Sequence, residues 1–282
     1  MAIFSLYTRD VVRVSGEGAH KLLNDTLTCR FDDTLSGTGR WFALLSPQGK
    51  VQIEGLVTYA SDAWWFDLEA GLVADFVKRM KLYRLRAKAE IEHLATHAVL
   101  WSPDGEKPTS AEAIAYADER GGGLGTRFIL DWAGARPTPL PELDPTEIYT
   151  AARIAAGVPE FPDFGANEVF AHDIGLDLLN GIDFVKGCYI GQEVVSRMKH
   201  RGTARRRPVM VSGIDAAAGT GAVIASGREA GTLGAVVDGR AVAILRLDRI
   251  TDLAAVTADG KPVTLTLPGW ATYRFGEAAE EE

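Results

Sequence analysis

"FVKGCYIGQEVVSR", residues 184–197, is the stretch on which the reading of this 282-residue chain turns. Gly187 and Gly191 bracket Cys188, which permits tight backbone turns and close approach of a ligand. "YIGQEVVSRM" (189–198) then reads as a short helix or extended turn, on which Glu193 and Arg197 stand four apart and can pair on one face. Lys186 and a helix start beside Cys188 are a setting that favours thiolate. A buried inert thiol, a nucleophile and one wall of a pocket all stay open for Cys188 on these grounds. A papain-like nucleophile needs an orienting base, and nothing designates His172 or His200 for that role. A pocket wall fits the composition better. Lys186, Gln192 and Arg197 supply donors, Glu193 an acceptor and Tyr189 a flat ring, a mixture suited to a heteroaromatic acid.

Charge gives the stretch a second property. Seven Lys/Arg and one acid, Glu193, lie between Lys186 and Arg207, a local balance of +6 in a chain whose net charge is −8. The overall balance argues against general affinity for nucleic acid. The run 197–207 also lacks the interleaved aromatic side chains on which bases stack. It either faces solvent or, beside the cysteine loop, steers an anionic ligand or an acidic partner.

At 46% hydrophobic content the chain can build a substantial core and two packed units. "MAIFSLYTRD" has no basic start followed by an apolar run, and no apolar stretch approaches the roughly 20 residues of a membrane span. The expectation is a soluble, non-secreted protein with no membrane partner. It would reside in a bacterial cytoplasm, or in the mitochondrial matrix if the chain is eukaryotic and processed. Cys29 and Cys188 can form at most one disulfide, and they lack the close pairing of a structural zinc site. With five scattered histidines, no metal site built wholly by this chain is expected.

Strands are expected at "VVRVSG" (11–16), "WWFDLE" (64–69), "AKAEIEHL" (87–94) and "THAVLWS" (96–102). "WFALLS" (41–46), a "PQGK" turn and "VQIEGLVTYA" (51–60) read as a hairpin. Helices are expected after Gly16, with Leu22, Leu23 and Leu27 inward, and over 71–85, with Leu72, Val73, Phe76, Val77 and Met80 inward. "GGGLG" (121–125) lacks the Lys-Ser/Thr ending of a P-loop and reads as a flexible connection. A proline-rich crossing (135–147) leads to a helix around "TEIYTAARIAAG", with Gly157 as C-cap. From 208 to 275 short β runs alternate with Gly/Asp turns, the texture of a small barrel or sandwich, and 276–282 reads as a frayed acidic tail. The class is α+β, and the Cys188 stretch lies just before the domain boundary.

"KGCYIGQEVVSR" closely resembles the K-G-C-F/Y-x-G-Q-E motif of the YgfZ family, folate-binding relatives of the glycine-cleavage aminomethyltransferase that include the Iba57 branch. The resemblance extends to "VVRVSGEGAHKLLNDTLT", "ALLSPQGKVQIEGLV", "ARIAAGVPEFPDF" and "GTLGAVVDG". It implies an aminomethyltransferase-like folate-binding α+β fold over 1–200, arranged around a folate-sized opening, with a C-terminal β-barrel at 208–275. It also implies tetrahydrofolate or a derivative as cofactor, and a part in making or repairing iron–sulfur clusters in client enzymes, with those enzymes or cluster-assembly proteins as partners. Carried over by motif position, Cys188 is the functional thiol. Lys186, Gly187, Tyr189, Gly191, Gln192 and Glu193 are the other signature residues, and Arg197 and Glu54 are added as pocket candidates. Three chemistries stay open for the thiol: holding iron or a cluster transiently, exchange with a partner thiol, or reaction with a folate-bound one-carbon unit.

Three positions depart from the pattern. "TCR" stands where many relatives read T-N-D, which places Cys29 and Arg30 at the last two positions. Glu54 stands where Asp is common, and Ala155 replaces the carboxylate of the transferases' R-L-E-A-G. That replacement counts against the alternative of an outright folate-dependent methyl- or aminomethyltransferase. A folate-independent assembly scaffold is the other alternative.

Overall fold

The computed structural model of the chain describes residues 3–108, 112–132, 144–202, 204–215 and 221–276. Its strands and helices run β1 (Phe4–Ser5), β2 (Arg9–Ser15), α1 (Ala19–Thr26), β3 (Thr38–Leu45), β4 (Val51–Ala60), β5 (Ala63–Glu69), α2 (Ala70–Arg84), β6 (Glu90–His93), β7 (His97–Ser102), β8 (Ile114–Asp118) and β9 (Thr126–Asp131). They continue as α3 (Pro145–Ala155), α4 (Gln192–Arg201), β10 (Arg206–Ser212), β11 (Ala222–Ala225), β12 (Arg228–Val237), β13 (Arg240–Arg246), β14 (Val256–Ala258), β15 (Lys261–Pro262) and β16 (Thr264–Thr266). Two compact units share the chain. The first takes Met1–Leu44, Ile53–Tyr149 and Asn180–Ile190, and the second Leu45–Gln52, Thr150–Leu179 and Gly191–Glu282.

The first unit is built on a nine-stranded sheet of order β1-β7-β9-β8-β3-β4-β5-β2-β6. Gly55 of β4 belongs there because a Cβ would stand 2.5 Å from the Asp67 carbonyl oxygen of the neighbouring strand. Helix α2 buries Leu72, Val73, Phe76 and Met80, the i, i+4, i+8 face, while Val77 stays half-buried. Its Phe76 ring lies 5.0 Å from Phe66 and 5.9 Å from Phe42, so the helix is held by the sheet's aromatic face. Lys81 and Arg84 in its last turn complement the negative end of the helix dipole. The "GGGLG" stretch closes the β8–β9 hairpin as a turn held by hydrogen bonds. Leu124 N–H donates to Asp118 O at 2.7 Å and Asp118 N–H to Gly125 O at 2.9 Å.

An ionic network lies inside this unit. Asp67 accepts from Arg9 Nε at 2.6 Å and from the Tyr116 hydroxyl at 3.0 Å, and forms an ion pair with Arg127. Arg127 also stands 3.2 Å from Asp118, which takes Arg120 through two bonds of 2.9 and 2.8 Å. All five charges are buried. Burial alone would raise the Asp67 pKa, but the adjoining charges of Arg9 and then Arg127 prevail and hold it below the ordinary carboxylate value.

In the second unit seven strands run β15-β14-β11-β12-β13-β10-β16. The two outermost, β15 and β16, are separated in sequence by Val263 alone, so the sheet curls until its ends meet. Val209, Val211, Val223, Leu233, Leu245, Val256 and Leu265 fill the inside. The three-residue β14 was too short to leave a periodic signal, whereas β10, β11, β12 and β13 follow the expected runs. Upstream, Arg153 of α3 pairs with Asp163, whose Oδ1 accepts the N–H of Ala235 in β12 at 2.9 Å. A Cβ on neighbouring Gly234 would stand 2.5 Å from the same carboxylate, so glycine is required for this contact. The class is α+β, with a β-barrel in the second unit. The proline-rich crossing up to 143 and the tail beyond Gly276 lie outside the described residues.

Candidate functional site

The loop carrying Cys188 is anchored by Lys186. Helix α1 ends at Thr26, so carbonyls near its C-terminus lack helical partners. The Lys186 ammonium supplies three protons and places them on three main-chain oxygens: Asn24 O at 2.9 Å, Cys29 O at 2.6 Å and Leu27 O. It also lies 4.8 Å above the Tyr189 ring. Desolvation lowers its pKa to about 8. The carbonyl triplet pulls the other way, because only the ammonium has a proton for each oxygen. Asp183 fixes the approach to the loop: its Oδ1 accepts from Val185 N–H at 2.7 Å and Lys186 N–H at 2.9 Å, an Asx turn. The Asp183 N–H donates to Thr28 O at 3.0 Å, and the Thr28 hydroxyl donates to Gly181 O at 2.7 Å.

Beyond this clamp the chain turns outward. Gly187 and Cys188 are exposed, Val185 is 89% exposed, and nothing lies within 4 Å of a Cβ built on Gly187. Cys188 is a free thiol at the surface, and Cys29 is a free thiol in the core, pushed up to about 12 by burial. The two form no disulfide. Tyr189 turns back inward and is 6% exposed, and its buried hydroxyl has no partner among the described residues. Burial raises that phenol well above its usual pKa.

At Ile190–Gly191 the chain passes from the first unit to the second. Gly191 has φ +79°, and a Cβ there would stand 2.7 Å from Ser46 O. Gly49 has φ +78°, and its Cβ would stand 2.8 Å from Val194 Cβ. The turn after β3 therefore packs against the start of α4 through two glycines that tolerate no side chain. On α4, Gln192 is half-buried, while Glu193 and Arg197 pair with each other at 2.6 Å on the exposed face.

The expected residues thus fall into different settings. Cys188, Tyr189, Gly187 and Lys186 share one loop of the first unit, and Glu54 is buried in the same unit, accepting from Trp41 Nε1 at 2.6 Å. Lys186 departs from the ligand-donor reading, since all three of its protons go to the main chain. Glu193 and Arg197 face solvent as a pair, which departs from the pocket-wall reading. The basic run also divides. Arg207 binds Asp177 at 2.7 and 3.1 Å and His172 O at 2.7 Å, while Lys199, His200, Arg201, Arg205 and Arg206 are exposed. Ala155 lies on the exposed side of α3. Asp183 and Thr28 were missed. The D-x-x-K spacing before the glycine was the available signal for Asp183, whereas nothing in sequence marks which carbonyls a lysine will reach. Among the described residues no three His, Cys, Asp or Glu side chains gather as a metal site.

Known proteins place this arrangement. Residues 205–273 match the model of the CAF17 C-terminal β-barrel domain. The glycine cleavage system aminomethyltransferase T of Bartonella henselae superposes with a TM-score of 0.73 over 97% of this chain and 87% of its own, at 12% identity, a likeness of fold. The mitochondrial iron-sulfur cluster assembly factor IBA57 homolog of Neurospora crassa is 28% identical over 230 residues, covering 72% of this chain and 51% of its own. Human mitochondrial iron-sulfur cluster assembly factor IBA57 is 31% identical over 215 residues, covering 68% and 60%. The chain is a homologue of the IBA57 and CAF17/YgfZ proteins. It spans between half and two thirds of the length of these two curated relatives.

Proposed function

We propose that this protein is a tetrahydrofolate-binding accessory factor for the assembly or repair of iron–sulfur clusters in client enzymes, and that Cys188 is its working thiol. The observation that carries the reading is the Lys186 clamp, which fixes the motif loop while leaving Cys188 at the surface. The printed role of the IBA57 relatives supports the cluster part, and their mitochondrial designation supports a matrix location, with a bacterial cytoplasm as the other setting. Client enzymes or cluster-assembly proteins are the partners, and the exposed cations Lys199 to Arg206 suit an acidic one.

Chemically, the thiolate form of Cys188 is the metal ligand, and its proton leaves to solvent on binding. One thiolate is a weak site, so the remaining ligands of iron or cluster come from the partner and the cluster is cargo. Folate fits the residues present in one respect. The buried Tyr189 hydroxyl, without a partner among the described residues and two positions from each of the signature glycines Gly187 and Gly191, is a polar group that a ligand would satisfy. Tyr189 would hold the folate, with Glu54 as the buried carboxylate of the same unit. Bound tetrahydrofolate would supply one-carbon chemistry. The exposed Ala155 offers no acid for aminomethyl transfer.

Calorimetric titration under reducing conditions with tetrahydrofolate and 5-formyltetrahydrofolate tests the folate part. Saturable binding near one per chain is expected. Absence of binding to both would leave a folate-independent scaffold as the surviving reading.

A further inference from the structure

The first unit carries a second charged surface, remote in sequence from the motif. Residues 76–89, "FVKRMKLYRLRAKA", hold six Lys/Arg and no acid in a chain of net charge −8. The inward face of α2 accounts for Phe76 and Met80. The outward face bears Leu82, 68% exposed, and is followed by Leu85, 85% exposed, two of the four large apolar side chains exposed among the described residues. Leu85 ends the helix at φ +47°, a conformation that costs a branched side chain free energy and that glycine would take without strain. Lys78, Leu82 and Leu85 follow one another at i, i+4 and i+7, with Lys81 beside them, and Arg86 and Lys88 continue the exposed charge.

Some of these cations are engaged. Arg79 pairs with Asp75 at 2.7 Å, Lys88 with Glu17 at 3.1 Å, and Arg84 donates to Ala89 O at 3.2 Å. Lys78, Lys81 and Arg86 make no ion pair among the described residues, and all three are exposed.

We propose that Lys78, Lys81, Leu82, Leu85 and Arg86 form a peripheral docking surface for an anionic lipid bilayer. Charge complementarity requires a negative occupant, and the leucines require one that accepts apolar side chains a short way below its charged surface. A bilayer of acidic lipids supplies both at once. The cores of protein interfaces are depleted in lysine, which is the opposite of this composition. Nucleic acid would leave the leucines unused, and a single strand would find no exposed aromatic platform for its bases, since Tyr83 is half-buried. The expectation of no membrane partner rests on the absence of a span, and no helix of the described residues is long and apolar enough to cross. A surface contact needs none.

Co-sedimentation of the full chain with phosphatidylcholine vesicles, with and without phosphatidylserine, tests this. Binding is expected only with phosphatidylserine and should weaken as salt is raised. K78E/K81E should weaken the partition at least on the order of tenfold, because two surface cations are lost. L82S/L85S should weaken it severalfold while preserving the salt dependence. Unchanged circular dichroism establishes that each variant is folded. Equal binding to neutral vesicles, or unchanged binding by K78E/K81E, would overturn the proposal. Retention on immobilised poly-glutamate without vesicle binding would assign the surface to an acidic protein and overturn the lipid assignment.

Discussion

Cys29 and Cys188 are the same side chain in two environments of one structural unit. Cys29 lies in the core, its thiol pushed up to about 12 by burial, and contributes its backbone carbonyl to the Lys186 clamp. Cys188 stands two residues beyond that lysine, exposed beside a glycine with open space around it. The comparison teaches that the motif lysine acts as an anchor that separates the two thiols, holding one side of the loop to the core so that the other reaches solvent.

The hardest way to break the contrast is to loosen the core that protects Cys29. Arg127→Met leaves Asp67 and Asp118 short of a buried partner and should cost about 3–5 kcal/mol. In denaturant titration with thiol labelling, Cys29 should become reactive at lower denaturant while the Cys188 rate stays unchanged. Lys186→Met attacks the contrast at its hinge. Losing a charged donor from three carbonyls should cost about 2–3 kcal/mol. Hydrogen exchange should rise at residues 183–190 and at the end of α1, and Lys186→Arg should restore little, because a planar guanidinium does not match three converging oxygens.

The pH dependence sharpens the same comparison. The unfolded chain releases the Cys29 proton near its ordinary value of 9.0, whereas the folded chain keeps it until about 12. Between those values the folded state binds more protons, so stability is whole below pH 9 and falls as pH rises, with a slope approaching about 1.4 kcal/mol per unit. The denaturant midpoint of the wild type should fall relative to that of Cys29→Ala over that window, and a parallel course would contradict the burial of this thiol. The smallest effect belongs to the solvent pair on α4. Glu193→Ala should cost about 0.3–0.5 kcal/mol and leave thiol labelling unaffected.

Much of the fold was legible because it rests on local periodicity. The α2 face, the strand runs from Val209 to Leu245 and the glycines at 49 and 191 follow from patterns within a dozen residues. The Arg9–Asp67–Arg127 network was not legible, since its members are charged residues 58 and 60 positions apart that read as surface. Of the motif, the exposure of Cys188 was an open alternative, whereas the anchoring role of Lys186 was hidden. Its acceptors are backbone carbonyls, which carry no residue signature. Cys29, noted as a departure, turned out to be buried for the same nonlocal reason, covered by elements that the sequence does not pair with it.

The most direct test is reconstitution of an iron–sulfur enzyme's activity in the presence of wild type, Cys188→Ser and Cys29→Ala, each verified as folded. Stimulation by wild type and Cys29→Ala, with loss in Cys188→Ser, is the predicted result. Stimulation that survives in Cys188→Ser, or is lost only in Cys29→Ala, would contradict the assignment of Cys188 as the working thiol.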